Sequence, residues 1–164
     1  MNVDSIEKLF IEELRDLYSA ETQITKALPK LVKAASSNEL RSAFEHHLKE
    51  TEGHVQRLEQ VFQILDTSPK GKTCDGMKGV LNEGAQTLRE TEEGDVRDVA
   101  LISAAQRVEH YEMAGYGSVR SYAERLGQAR IAQLLQATLD EEKSADKKLT
   151  EIAHKFPMRA QHAA

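Results

Sequence analysis

The stretch "HHLKETEGHVQRLE", residues 46–59, decides the fold. It belongs to a helical stripe running Leu40, Phe44, His47, Glu50, His54, Leu58, Val61 and Leu65. That spacing keeps one face of a helix turned to a core. Two positions where leucine is expected hold Glu50 and His54. An isolated buried carboxylate costs several kcal/mol. The stretch therefore asks what inside the fold would receive a carboxylate and an imidazole.

Working outward, the chain divides into five helical segments. "DSIE" opens α1, about 4–35, with Asp4 as cap and Glu7 as its capping-box partner. "SSNE" is a turn, and Ser37 or Asn38 caps α2, about 38–65. "DTSPKGKTCDG" reads as loop. A short α3, about 76–92, uses Met77, Val80, Gly84 and Leu88. "EEGDV" breaks the chain again, with Asp95 as cap of α4, about 95–126, which Gly127 ends. Finally α5 runs from about 129 to Phe156 and stops at Pro157; the tail "MRAQHAA" is expected to fray. Two long hairpins joined by one long crossover are the ferritin-like form of the antiparallel four-helix bundle. The fold expected is all-α, a single such domain over 1–164 with a short extra helix in the crossover.

The other three seams are interrupted in the same way. In α1 the seam is Phe10, Leu14, Leu17, Glu21, Ile24, Leu28 and Leu31. In α4 it is Leu101, Ala105, Val108, Glu112, Gly115, Val119, Tyr122 and Leu126, and in α5 Ile131, Leu135, Thr138, Glu142, Ala145, Leu149 and Ile152. Each interruption lies about 15 residues from its own hairpin turn. Equal counts from the turns mean equal height along the bundle axis, so the polar groups meet at one level. One carboxylate in a seam is ordinarily a snorkelling or salt-bridged residue. Four at one level repel each other, and the seams bring no Lys or Arg to that level. A pair of divalent cations removes the repulsion and favours these oxygen and imidazole donors.

Di-iron and di-manganese carboxylate bundles take a Glu from each of two helices and a Glu-x-x-His from each of the other two. Here α1 and α4 offer Glu21 and Glu112, and α2 offers Glu50 with His54, four apart rather than three. On α5, Glu142 has no histidine nearby, and Asp146 stands at the equivalent offset. Glu109 is a further candidate one turn before Glu112. Around these, His47, His110 and Tyr116 are candidates for supporting roles: His47 as a hydrogen-bonding core histidine, His110 as a stand-in for the missing histidine on α5. Tyr18 and Tyr111 lie near enough to interest a redox mechanism, although satisfied core tyrosines are the ordinary case.

Composition sets the outer limits. The 164 residues include three prolines and no tryptophan, and both charge signs are mixed to a net −5. That excludes the clustered basic face of a nucleic-acid binder. Nothing approaches the ~20 apolar residues of a membrane span. Cys74 stands alone, and "MNVDSIEKLF" lacks a basic-then-apolar leader pattern, so a reducing, cytoplasmic setting is expected.

"HLKETEGHVQRLEQ", "AAQRVEHYEMAGYGS" and "LDEEKSADKKLTEIA", with "DLYSAETQ" before them, resemble the YciE/YciF family of bacterial stress-response proteins within the ferritin-like superfamily. The resemblance runs from about residue 4 to 156. It implies a five-helix, rubrerythrin-like bundle, often a homodimer, with a di-iron centre and a role in stress protection. It further implies metal ligation by Glu21, Glu50, Glu112 and Glu142, with Glu109 in the motif. Position 54 is typically Gln in that family, so His54 is a departure expected to strengthen metal binding. The function expected is a di-iron protein, with manganese as the alternative metal, that oxidises Fe(II) or consumes O₂ or peroxide. The competing expectation is a non-catalytic helical module whose metal is structural or absent.

Overall fold

The computed structural model describes residues 3–157. Its elements are α1 (Ile6–Ala34), α2 (Asn38–Ile64), α3 (Asp75–Glu90), α4 (Asp95–Arg125) and α5 (Ala129–Ala153). The tail from 158 onwards, expected to fray, lies outside the described residues. The four long helices form the expected ferritin-like bundle: α1 pairs with α2, α4 with α5, α1 with α4 and α2 with α5, while α3 packs on α4 and α1. No helix of the described residues is long and apolar enough to cross a membrane.

The helix ends follow local chemistry, with two differences from expectation. Ser5, not Asp4, caps α1, accepting from the Lys8 amide at 3.2 Å. Asp4 instead pairs with the Lys8 ammonium at 2.7 Å, since only one residue can hold the cap geometry and Ser5 is one residue nearer. Gly94 (φ 124°), not Asp95, occupies the start of α4, which leaves Asp95 in the first turn where the helix dipole favours an acid. Ser37 caps α2 as expected, through the Leu40 amide. At the end of α4, Gly127 takes φ 71°, and the paired bonds Gly127 N–Glu124 O and Gln128 N–Ala123 O close the turn into α5.

Asp98 ties the two hairpins together. Its buried carboxylate accepts from the Ser36 and Ser37 amides in the α1–α2 turn, at 2.8 and 2.6 Å. The start of α4 thus sits beside that turn, at the opposite end of the bundle from the end of α2. The crossover must run the length of the bundle, and its polar groups hold it to α1: Arg15 donates to Ser68 O, Ser19 Oγ accepts from Cys74 N, and Gln23 donates to Cys74 O.

The apolar core is in two parts. One cluster surrounds Ile24, Leu28, Leu40, Phe44, Leu101 and Ile152. The other surrounds Phe10, Leu14, Leu58, Phe62, Val119 and Ile131. The interrupted level lies between them. Gly115 lets α1 and α4 approach there, since a Cβ would stand 2.7 Å from Leu17 Cδ2.

An Asp98→Ala variant should lose about 2 kcal/mol, the worth of two charge-assisted bonds less what solvent returns. Urea unfolding should show a lower midpoint with an unchanged slope.

Candidate metal centre

Six buried side chains from all four long helices converge between the two apolar clusters: Glu21 on α1, His47 and His54 on α2, Glu109 and Glu112 on α4, and Glu142 on α5. Four of them, Glu21, His54, Glu112 and Glu142, are fully buried, and Glu109 is 2% exposed. They form two overlapping donor groups. One joins His47, Glu109, Glu112 and Glu142; the other joins Glu21, His54 and Glu142. Within each, the potential ligand atoms lie within 4.8 Å of one another. Glu142 belongs to both.

Nearly all the unpartnered buried side-chain polarity among the described residues is here. Among the described residues nine buried side-chain N or O atoms lack a hydrogen-bond partner, and eight belong to these six residues. Both oxygens of Glu112 and both of Glu142 are among them. Short approaches exist, such as His54 Nδ1 to Glu142 Oε1 at 2.9 Å and to Glu21 Oε1 at 3.4 Å. His47 Nε2 lies 3.3 Å from Glu109 and 3.8 Å from Glu142. None of these has hydrogen-bond geometry. Among the described residues no Lys or Arg pairs with the four carboxylates; the basic side chains beside them are the imidazoles of His47 and His54. Buried polar atoms are ordinarily satisfied. The donor set, its convergence and its missing partners all fit a metal ion.

The electrostatics of the metal-free group follow. Burial, then Glu142, push the Glu109 carboxyl well above its ordinary range. Burial, then Glu142 and Glu21, do the same to Glu112. Burial opposes charge on His54, yet Glu142 and Glu21 raise its pKa to about 10. Burial likewise opposes charge on Glu142, but His54 and Glu109 hold its carboxyl below the usual range. The upward shifts on Glu109, Glu112 and His54 all favour the protonated form, which lowers the net negative charge of the group.

Outside this group stand the residues that orient it. His54 presents Nδ1 inward and Nε2 to Glu141 at 2.8 Å. Arg57 grips the same carboxylate at 2.9 and 3.1 Å, which lowers the Glu141 pKa against its partial burial. Tyr116, fully buried, donates to Glu21 Oε1. Burial, then Glu21, push its phenol well up, so it stays a donor.

Three candidates stand elsewhere. Glu50 is turned out of the core, its side chain 24% exposed, 3.2 Å from His46 and 3.4 Å from His47. The core position is Thr51, fully buried, its hydroxyl bonded to His47 O. Asp146 accepts from Gln106 at 3.0 Å and lies 3.3 Å from His110, whose side chain is 65% exposed. That pair belongs to the rim of α4 and α5. His47, expected in support, lies within the donor group itself. Tyr18 bonds Glu59 at the surface, and Tyr111 shares a cluster with Cys74 and Asp16. Glu141, Arg57 and Asp98 escape a reading of single seams, because their partners lie on other helices.

Fold and donor set define a class: ferritin-like helical bundles with a buried His/Glu group able to hold metal. Within it, the chain matches a family described as a domain of unknown function, DUF892, over residues 5–161, and it belongs to that family. It is 47% identical to protein YciF of Escherichia coli strain K12 over 154 residues, 93% of each chain. The crystal structure of that E. coli stress protein superposes with a TM-score of 0.90 at 46% identity, over 93% of this chain and 96% of the other. YcfI from Rhodopseudomonas palustris gives a TM-score of 0.88 at 41% identity, over 91% and 95%. A protein from Xanthomonas campestris pv. campestris shares the fold at 17% identity, TM-score 0.73, over 92% of each chain.

The raised groups predict how the metal-free protein responds to pH. A raised pKa means the folded state holds its proton more tightly than the unfolded chain, so stability falls as pH rises. For His54 the contribution is complete below pH ~6.5 and lost on the way to about 10. The melting temperature of chelated protein should therefore fall between pH 6 and 10. A Glu112→Gln variant, neutral throughout, should melt above the wild type at pH 8. The gap should close towards pH 4.5, where the unfolded carboxyl also holds its proton.

Proposed function

We propose that the buried group is a di-metal carboxylate centre, in its working form di-iron, and that the protein consumes O₂ or peroxide while oxidising Fe(II). The observation that supports this most is the set of eight unpartnered donor atoms at one level, arranged as two groups that share Glu142. Glu21 and His54 would hold one ion; His47, Glu109 and Glu112 would hold the other; Glu142 would bridge. When bound, two Fe(II) ions supply two electrons, which with two protons convert one peroxide to two waters.

The chain's own residues do the rest. Glu141 accepts the Nε2 proton of His54 and so keeps Nδ1 aimed at Glu21 and Glu142. Tyr116 fixes one oxygen of Glu21 and leaves Oε2 free. Glu109 and Glu112, whose burial favours the protonated form, would give up those protons to a cation. The two apolar clusters cover the group along the bundle axis, and that low-dielectric surrounding would strengthen the attraction between the donors and a bound cation. Manganese suits the same donors, and metal analysis of protein from its native host distinguishes the two.

Anaerobic titration of metal-free protein should show two Fe(II) bound per chain with proton release. Subsequent O₂ or peroxide should be consumed as the iron is oxidised. A Glu112→Ala, Glu142→Ala double variant should bind none, and chelation should lower the wild-type melting temperature. Absence of bound metal after growth in iron-rich and manganese-rich media would instead leave a non-catalytic bundle.

Glu141→Gln should weaken metal affinity about 10–100-fold with the fold intact, as loss of a carboxylate behind a histidine ligand does. Competition with a chelator of known affinity measures it.

A further inference from the structure

A cleft reaches the buried donors from the side of the bundle. A cavity of about 420 Å³ lies between α2 and α5, with His46, His47 and Glu50 on one wall, Ala145 on the other and Glu109 at its inner end. Exposure falls steadily along it. The side chain of His46 is 75% exposed, Glu50 24%, His47 7% and Glu109 2%. Consecutive groups are within ion-pair reach: His46 to Glu50 at 3.2 Å, Glu50 to His47 at 3.4 Å, His47 to Glu109 at 3.3 Å. At the inner end His47 Nε2 and Glu109 Oε2, both more than nine-tenths buried, have no partner. Two other cavities, beside Asp66 and beside Leu81, do not touch the six donors.

Resting on the reading of the buried group as a metal centre, we propose that this cleft is the route by which divalent cations enter, and that His46 and Glu50 form a transit site that passes them to His47 and Glu109. Stripping a cation of all its water in one step is costly. Along this wall each lost water is replaced by the next carboxylate or imidazole before burial is complete. The outward position of Glu50 is what such a role needs. It reaches solvent-exposed His46 with one oxygen and core-facing His47 with the other. Lys148 also lines the cleft, 3.5 Å from the Glu39 carboxylate, which offsets its charge.

The test is stopped-flow loading of metal-free protein with Co(II), followed by visible absorption. Bound cobalt is then measured after dialysis. Glu50→Gln removes the transit charge, and Ala145→Phe fills the cleft. Each should slow loading about tenfold, the scale on which local charge and access alter association rates, with final stoichiometry unchanged. Ala85→Phe, in the cavity between α3 and α4, should load at the wild-type rate. Wild-type rates in both cleft variants overturn the route while leaving the metal centre standing. A reduced final stoichiometry in Glu50→Gln also overturns it, because Glu50 would then be a resident ligand. A wild-type protein that takes up no cobalt removes the centre itself, and the route with it. Should Ala145→Phe fail to fold, Glu50→Gln decides, since it changes charge and not shape.

Discussion

The structure depends on the mutual repulsion of carboxylates gathered in its core. Glu21, Glu109, Glu112 and Glu142 come from three helices to one buried level of the core, and among the described residues no Lys or Arg pairs with them. His54 and the upward-shifted carboxyls of Glu109 and Glu112 supply the neutralisation available within the chain. An apolar layer here would make a more stable bundle, since a buried charge cluster rarely outperforms packed hydrocarbon. The arrangement is therefore understood best as stability given up for binding.

Everything else in the fold serves that level. Antiparallel hairpins bring equal counts from each turn to equal height, so residues at matching positions of the four helices meet there. The apolar clusters on either side fasten the helices above and below, which lets the middle stay polar without the bundle opening. Asp98 locks the α1–α2 turn to the start of α4 and so sets the height of one hairpin against the other. Behind His54, Arg57 fixes Glu141, and Glu141 fixes the ring. The geometry of the centre is thus imposed from outside it, before any ligand arrives.

The sequence carried the fold and most of this level because both follow from periodicity. Long seams with a 4–3 alternation, Gly127 and Ser37 located the helices to within about three residues. Glu21, His54, Glu112 and Glu142 followed from interruption of the seams at matching heights. Glu50 precedes His54 at a ligand-like spacing, and that spacing alone would put it in the core. Strict alternation from Leu40 instead runs Phe44, His47, Thr51, His54, Leu58, Val61, and that is the buried face observed. Glu109 and Tyr116 lie beside the α4 seam and are buried because α4 is packed by α1, α3 and α5 at once. A single-helix pattern does not contain that fact. Glu141 and Arg57 were invisible for a related reason: each acts across an interface whose pairing only the assembled bundle defines.

The central claim is that cations belong among these six side chains. Crystals grown from metal-free protein and soaked in Fe(II) or Mn(II) would test it by anomalous scattering at the metal edge. Two peaks are expected on either side of the Glu142 carboxylate, one beside Glu21 and His54, the other beside His47, Glu109 and Glu112. Anomalous density confined to the surface, with the buried carboxylates unchanged, would contradict it.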